Sequence, residues 1–278
     1  MHSLAATLLL AGLASTAATQ AGEPAFEAAS VKAFPAGTPI LMSGCVGGPG
    51  SDDPGHVNCE YVTVKMLVMQ AYNVKSFEVA GPSWLDSDRY NIIAKVPTGA
   101  TREQLPAMYR GLLVEQFHIA VHRETRPVSG YALTIGGKGA KLKAAAPPAP
   151  PAEQAPGKLG TGDDGFPVVR PEAVRGGAMI LYRGGRAKLQ GTNVTLARFV
   201  EALSRQLDRP IQDDTGLSGA YDIVLYWTPE APEPGSVNGQ VSANDRVPDV
   251  SIFQAVEQQL GLRLSGRKIE RSIVVVER

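Results

Sequence analysis

The sequence predicts an α+β fold, built as a tandem duplication of a small α-β-β-α-β-β module. One phrase is written twice along the chain: WLDSDRYNIIAKVP at residues 84–97 and GLSGAYDIVLYWTP at residues 216–229. Each copy contains a turn, a tyrosine, an Asn or Asp, and an apolar run that ends at a proline. Such a repeat predicts the same strand in two equivalent places.

The spacing of the repeat supports a duplicated domain. The step along the chain from Thr63 to Thr195 is almost equal to the step from Tyr90 to Tyr221. Both threonines precede an apolar stripe at helical spacing, so each is a predicted helix cap. The sequence therefore predicts that a helix, a strand, a turn and a second strand recur in register.

The remaining elements follow the same order in both halves. In the first half, Thr101 and Gln104 predict a capping box, and FHIAVHRE and YALTI predict a hairpin that turns at PVSG. In the second half, Ser251 and Gln254 predict the equivalent box, Gly261 predicts the helix end, and LRL and IVVV predict the last hairpin. Tyr90 and Tyr221 are expected to pack against the helix that precedes each of them.

Composition divides the chain into four predicted regions. Residues 1–21 are apolar and small, followed by residues suited to signal peptidase, and predict a signal peptide. Residues 22–137 and 175–278 are the two predicted modules. Residues 138–174 are rich in Pro, Ala and Gly, and predict an exposed linker. The mature protein is expected to be periplasmic or secreted, without a transmembrane segment.

The two cysteines, Cys45 and Cys59, are expected to form a disulfide, because an exported protein meets an oxidising compartment. Zinc is the alternative: His56 lies between the cysteines, and Asp52 or Asp53 could complete a ligand set. That spacing matches no standard zinc pattern.

Several phrases resemble a soil-bacterial, acidobacterial-type family of duplicated exported proteins of unknown function. The phrases are FEAASVK, GPSWLDSDRYNI, LLVEQFHIAVHRETRPVSGYALTI and DDTGLSGAYDIVLYWTP. The resemblance implies an exported protein but no established activity. At the level of element order, the second half also resembles the short N-terminal module of secretins and TonB-dependent receptors, which implies an interaction domain.

The sequence contains no recognisable catalytic constellation. His118 and His122 are four residues apart on a predicted strand, a separation of about 13 Å that is too long for one metal ion. The carboxylate pairs Asp86/Asp88 and Asp213/Asp214 fall in predicted turns, where Asp bonds its own backbone. The glycine runs GGKGAK and RGGR lack a phosphate-loop context and predict hairpin turns or linker.

The function expected from the sequence is binding, without enzymatic activity, metal or cofactor. The expected partner is an envelope or extracellular protein, or an unidentified ligand. Equal numbers of basic and acidic residues, 27 of each, argue against nucleic acid as that partner. The predicted ligand groove comprises Trp84, Asp86, Asp88, His122 and Arg123. The alternatives are a hydrolase with a site in the cleft between the modules, and an adaptor of a secretion or sensor-peptidase system.

Overall fold

A computed structural model describes residues 23–35, 37–38, 40, 43–145, 160–229 and 250–277. The predicted signal peptide lies outside the described residues. The strands and helices, in chain order, are β1 (Ala28–Ala33), β2 (Gly44–Gly47), β3 (His56–Val62), α1 (Val64–Tyr72), β4 (Val79–Ala80), α2 (Trp84–Ser87), β5 (Tyr90–Lys95), α3 (Leu105–Phe117), β6 (Ala120–Ile135), β7 (Lys143–Ala144), β8 (Met179–Arg183), β9 (Arg186–Thr195), α4 (Leu196–Leu207), β10 (Ile211–Asp213), β11 (Ala220–Trp227), α5 (Ile252–Leu260) and β12 (Leu262–Glu277). The mixture of helices and sheets confirms the α+β class.

The chain divides into two compact units whose boundaries differ from those of the predicted modules. The first unit comprises residues up to Ala71 together with Asp88–His118. The second comprises Tyr72–Ser87 and Ile119–Arg278. Strand β6, which closes the predicted first module, therefore lies in the unit that contains the second.

The first unit contains an antiparallel sheet in the order β1-β5-β3-β2. The inward residues of this sheet and of helices α1 and α3 are buried. They include Val57, Val62, Leu67, Val68, Ile92, Ala94, Met108, Leu112 and Leu113. This confirms the helical stripe predicted after Thr63, whose hydroxyl accepts the Met66 N–H at 3.1 Å.

Cys45 and Cys59 face each other across β2 and β3 and are joined by a disulfide. The structure therefore confirms the disulfide in preference to zinc. The imidazole of His56 lies 3.2 Å from a carboxylate oxygen of Asp53, not at a metal site. The bond cross-links β2 to β3 and so closes a covalent ring around the Gly-rich loop between them.

The second unit contains an antiparallel sheet in the order β7-β11-β9-β8. Helices α4 and α5 contribute to its core, and this core includes Leu189, Phe199, Leu203, Leu225, Trp227 and Val256. Both helices begin at the predicted caps: Thr195 accepts the Arg198 N–H, and Ser251 and Gln254 form a reciprocal box. Gly261, at φ 65°, ends α5 as predicted.

These two sheets have matching registers. In the first, Cys59 pairs with Ile92 and Val62 with Tyr90, with a bulge between the pairs. In the second, the pairs are Gly191 with Ile223 and Val194 with Tyr221, again with an irregularity between them. Lys32 faces Asn91 and Lys143 faces Asp222 on the other side of the strand. The step along the chain from Cys59 of β3 to Gly191 of β9 equals the step from Thr63 to Thr195. The step from Ile92 of β5 to Ile223 of β11 equals the step from Tyr90 to Tyr221.

The repeated Asn or Asp has a defined structural role. The chain enters each helix through a residue in the left-handed region, Tyr61 at φ 53° and Asn193 at φ 55°. The side chain of Asn91 accepts the N–H of Tyr61 at 3.2 Å, and Asp222 accepts that of Asn193 at 3.0 Å. An N–H turned away from its ladder by a bulge thus gains an acceptor, which accounts for the Asn or Asp at this position of both phrases.

The expected packing of Tyr90 against the preceding helix differs from what the structure shows. Its ring lies edge-on against Phe117 of α3, with centroids 5.0 Å apart. The helix that follows Tyr90 thus supplies this ring contact. Tyr221 borders the core of the second unit, and its hydroxyl donates to the Ser218 carbonyl at 2.8 Å.

The two predicted terminal hairpins are wrong. Residues 120–135 form one continuous strand, β6, and residues 262–277 form another, β12. The two strands pair antiparallel over their whole length, from Ala120↔Glu277 to Ile135↔Leu262. Pro127 suggested a turn, but β10 pairs with β6 only at residues 131–133, so Pro127 lies where β6 has one unpaired side.

Short parallel strands flank this long pair and complete a sheet in the order β10-β6-β12-β4. Val79 of β4 pairs with Val274 of β12, and Ile211 of β10 pairs with Tyr131 of β6. The step along the chain from Val79 to Ile211 equals that between the two threonine caps. The sheet therefore has approximate twofold symmetry, in which each short strand adds to the long strand of the opposite sequence half.

Part of the predicted linker packs against the second unit. β7 lies within it, and the Phe166 side chain is 1% exposed, near Lys188 and Tyr226. Asp164 accepts hydrogen bonds from Lys188 Nζ at 2.6 Å and from the Tyr226 hydroxyl at 2.8 Å. These bonds, with a third from the Phe166 N–H, lower the pKa of the Asp164 carboxyl to about 2.

Replacing both cysteines by serine is expected to lower the free energy of unfolding by about 3 kcal/mol in the chain-entropy model. Urea unfolding of the oxidised wild type and of the C45S/C59S variant measures this difference. Reduced wild type is the matched control and should unfold like the variant. Equal urea midpoints for all three samples would show that the disulfide does not contribute to the free energy of unfolding.

Candidate ligand groove

A groove of about 410 Å³ lies over the β6–β12 pair in the second unit. Its floor is formed by three cross-strand pairs, Tyr131↔Gly266, Gly130↔Arg267 and Ser129↔Lys268. With Arg209, which precedes β10, these residues make up the lining. Because the floor belongs to two long paired strands, the lining side chains project from well-supported backbone.

Two glycines shape the groove for different reasons. A Cβ on Gly130 would lie 2.3 Å from the Pro210 carbonyl oxygen, which accepts the Tyr131 N–H at 2.9 Å. Gly130 therefore allows the chain entering β10 to approach β6. A Cβ on Gly266 would have nothing within 4 Å. The missing side chain at Gly266 thus leaves the groove open.

The charged groups of the lining are all cationic: Arg209, Arg267 and Lys268. Lys268 Nζ lies 2.8 Å from the Ser129 hydroxyl oxygen, to which it donates a hydrogen bond. Arg267 pairs with Asp214, a residue beside the groove that does not line it. Strand alternation directs the side chains of Arg267 and Lys268 to opposite faces of the sheet, so the Arg267–Asp214 pair and the Lys268–Ser129 hydrogen bond lie on different faces.

The backbone at Arg209 is fixed by the end of α4. Asp208 adopts the left-handed conformation at φ 46°, and the Arg209 N–H donates to the Ser204 carbonyl at 3.2 Å. The Ser204 hydroxyl in turn donates to the Arg209 carbonyl at 2.6 Å. These two bonds hold the start of the Arg209 side chain at the rim of the groove.

Asp214 is positioned by both backbone and side chain. Its N–H donates to the Leu133 carbonyl at 2.9 Å, which continues the β10–β6 pairing. One carboxylate oxygen accepts from the Gln212 amide at 3.0 Å, and the other faces Arg267. The neighbouring Asp213 accepts from the Thr215 backbone and hydroxyl, the turn role predicted for it.

Tyr131 supplies the aromatic part of the lining. Its ring is half-buried and lies edge-on to Phe253 of α5, with centroids 5.1 Å apart. A ring held in this way offers an apolar surface beside the cationic groups. The groove can therefore bind a molecule that has both a charged and an apolar part.

The residues predicted to form a ligand groove do not line this one. Trp84 is half-buried, and Trp84 and Asp86 belong to the short helix α2, where a turn was expected; the exposed Asp88 follows that helix. His122 and Arg123 are adjacent exposed residues of β6, so strand alternation directs them to opposite faces. Arg123 donates to the Tyr72 carbonyl at 3.4 Å.

His118 is not on a strand, contrary to the prediction. It ends α3 in the left-handed conformation at φ 53°, and β6 starts two residues later. Within the described ranges, no cluster of three or more His, Cys, Asp or Glu residues could hold a metal ion.

Sequence patterns alone do not reveal the lining of this groove. The Ser-Gly pairs at 129–130 and 265–266 indicated turns, but both lie inside long strands. The recurrence of a Ser-Gly pair near the end of each sequence half is a signal in the sequence that could have indicated these positions. The arginines and Lys268 carry no local pattern that separates them from ordinary surface cations.

The match to a family model covers residues 65–278, and the description of that family is "Protein of unknown function (DUF3738)". The chain belongs to this family. No curated protein and no solved structure matches it. Across the described part of the chain, no helix has the length and apolar character needed to cross a lipid bilayer.

The two glycines provide a direct test of the groove geometry. Gly266→Ala is expected to leave the melting temperature nearly unchanged, because the new methyl group enters open space. Gly130→Ala is expected to lower it clearly, because the methyl group meets the Pro210 carbonyl at 2.3 Å. Thermal melts followed by circular dichroism measure both. Equal destabilisation by the two variants would contradict the assigned roles.

Proposed function

We propose that this protein is an exported, non-enzymatic binding protein of the bacterial envelope whose ligand occupies the groove over β6 and β12. The supporting observation is the lining: an open depression with several hydrogen-bond donors and an aromatic ring on supported strands. The lining has one serine hydroxyl but neither imidazole nor carboxylate, the groups that a Ser-His-Asp arrangement or paired-carboxylate catalysis requires. Binding requires neither.

Export is proposed from two independent features. The apolar N-terminal stretch has the length and small-residue exit of a signal peptide. The disulfide between Cys45 and Cys59 fits an oxidising compartment, where such bonds persist. Together they favour a periplasmic or secreted protein.

Tandem duplication is proposed as the origin of the fold. Support comes from the matching registers of β3–β5 and β9–β11 and from the equivalent roles of Asn91 and Asp222. The two parallel pairings around β6 and β12 also relate equivalent positions of the two halves. In this account, the short strand of each copy pairs with the long strand of the other copy. The central sheet therefore forms only from both copies together.

The proposed export predicts that the mature chain begins between Ala18 and Gly22. Cell fractionation followed by N-terminal sequencing of the purified protein tests this. The protein should appear outside the cytoplasm and lack the apolar stretch. An intact Met1 on cytoplasmic protein would contradict the proposal.

The proposed binding role predicts that some small ligands stabilise the wild type and fail to stabilise Gly266→Leu, whose side chain fills the groove. A thermal-shift panel should contain anionic, neutral and cationic compounds of amino-acid to dipeptide size. Gly137→Leu is the matched control, because Gly137 is also exposed and a Cβ added there would have nothing within 4 Å.

The outcomes of this panel are distinct. Stabilisation of wild type and Gly137→Leu, but not of Gly266→Leu, supports the groove as a ligand site. A ligand that stabilises all three proteins equally binds elsewhere. A panel in which no compound stabilises the wild type would count against the proposed function.

A further inference from the structure

We infer that the outer edge of β12 from Leu264 to Glu270 (the β12 edge) binds an extended acidic peptide of a partner protein, which adds to the sheet as a further strand. The inference rests on the proposed function, because it names the class of ligand that reaches the groove. It is carried by the directions of the backbone groups of β12, by a proline at the equivalent position of β6, and by the charges along the edge.

The backbone groups of the β12 edge alternate between β6 and the outside of the sheet. The Tyr131 N–H donates to the Pro210 carbonyl at 2.9 Å, so Tyr131 directs its backbone groups toward β10 and away from β12. Tyr131 faces Gly266 in the antiparallel register, and opposed residues that exchange no hydrogen bonds both point outward. The N–H and carbonyl groups of Gly266, and by alternation those of Lys268 and Glu270, therefore point away from β6.

The β12 edge is accessible within the second unit. The short strand β4 pairs with β12 at Val274 and Val275, beyond the end of the edge. Residues 265–268 are exposed. Among the described residues, no backbone hydrogen bond from another segment reaches the outward groups at the even-numbered positions of the edge. These groups form a row of donors and acceptors that an extended segment can pair with.

A proline protects the equivalent edge of β6. Tyr131 of β6 corresponds to Val274 of β12, because each pairs with the short strand of the opposite half. Counting four residues back from each gives Pro127 in β6 and Glu270 in β12. Pro127 is in step with Tyr131, faces outward and has no N–H to offer, which protects an edge against strand addition. Glu270 retains its N–H, so the β12 edge is the one of the two that can accept a strand.

The charges along β12 favour an acidic occupant. At the edge and directly beside it, four basic residues stand against one acidic residue: Arg263, Arg267, Lys268, Arg271 and Glu270. Asp214 pairs with Arg267 and still leaves an excess of positive charge. A second copy of β12 would bring two basic edges together, which disfavours self-pairing. A peptide with acidic side chains has the complementary charge.

The order of side chains along the edge predicts a sequence pattern for the peptide. A residue of an added strand lies about 4.8 Å from its neighbour on β12 and points to the same face. Arg267 and Lys268 point to opposite faces, so two consecutive acidic residues can meet one cation each. The residue beside Gly266 enters the space that the missing side chain leaves, on the face of Tyr131. The expected pattern is a large apolar residue followed or preceded by an acidic pair.

Fluorescence anisotropy of labelled synthetic peptides tests binding to the mature protein. The probe is a peptide of about nine residues, alternating threonine and valine, with a phenylalanine and two glutamates at its centre in either order. The acidic peptide should bind, and a version with two glutamines should bind about tenfold more weakly, because it lacks two exposed charge contacts. A version with two lysines should bind more weakly still. Equal affinity of the glutamine version would contradict an acidic occupant.

Hydrogen exchange of the ¹⁵N-labelled protein locates the added strand. The amides of Gly266, Lys268 and Glu270 should gain protection when the acidic peptide binds, because their N–H groups then donate to it. With nine-tenths of the protein occupied, their exchange should slow by about tenfold, since the free protein alone exchanges. The amides of Arg267 and Ile269 already donate to β6 and should change much less.

Two substitutions at one position separate edge pairing from charge. Glu270→Pro removes the outward N–H, as Pro127 does on β6, and should weaken binding by about tenfold. Glu270→Ala keeps the N–H and removes a negative charge, so it should bind at least as tightly as the wild type. Thr125→Pro places a proline at the outer edge of β6 and is the matched control, which should bind as the wild type does. Lys268→Met should weaken binding by about threefold.

Three results would overturn the inference while leaving the proposed function intact. One is a panel compound that binds in the groove while the acidic peptide does not bind. Another is wild-type affinity in a Glu270→Pro variant that keeps the wild-type melting temperature. The third is protection of Gly266 and Lys268 that rises with protein concentration in the absence of peptide, since a second copy would then occupy the edge. If neither the panel nor the peptides bind the wild type, the proposed function and this inference fail together.

Discussion

The antiparallel pairing of β6 with β12 is the interaction on which the second unit depends. It runs along the full length of both strands and brings together distant parts of the chain. Both parallel additions, β4 and β10, have these strands as their partners. Loss of the long pair would therefore remove the support for both short strands. Such long-range pairing also carries a large loop-closure cost, which only the completed sheet can offset.

The same pairing creates the candidate groove. Both strands contribute residues to its floor, so neither sequence half contains the candidate site by itself. Gly130 is required because a Cβ there would meet the chain that enters β10. Gly266, on the neighbouring strand β12, leaves the groove open because it has no side chain. β12 also carries Lys268 opposite Ser129, and the two side chains form a hydrogen bond on one face of the strand pair. The candidate groove thus lies over the same strand pair about which the sheet is approximately twofold symmetric.

Local chemistry allowed several elements to be predicted closely. Thr63, Thr195 and Ser251 mark helix starts because a hydroxyl accepts an N–H that the helix itself cannot satisfy. Gly184 and Gly185, both at positive φ, form the predicted turn between β8 and β9. In contrast, the Pro and Gly residues at 127–130 and Gly266 resembled turn signals although they lie within strands. Whether such a residue marks a turn or fits within a strand depends on whether its edge of the strand is paired and on which chain segment packs against it.

The sequence by itself determined the α+β class, the starts of α1, α4 and α5, the repeated strand phrase and the cysteine pair. These features are local, or they follow from spacing that a folded chain preserves. Only the tertiary structure decided that the terminal segments are single long strands, that they pair with each other, and that Arg209 and Lys268 line a groove with Ser129. Periodicity records which face of a strand is apolar, but it does not record the partner of that strand. A site assembled from residues on β6, on β12 and before β10 therefore becomes visible only once those partners are known.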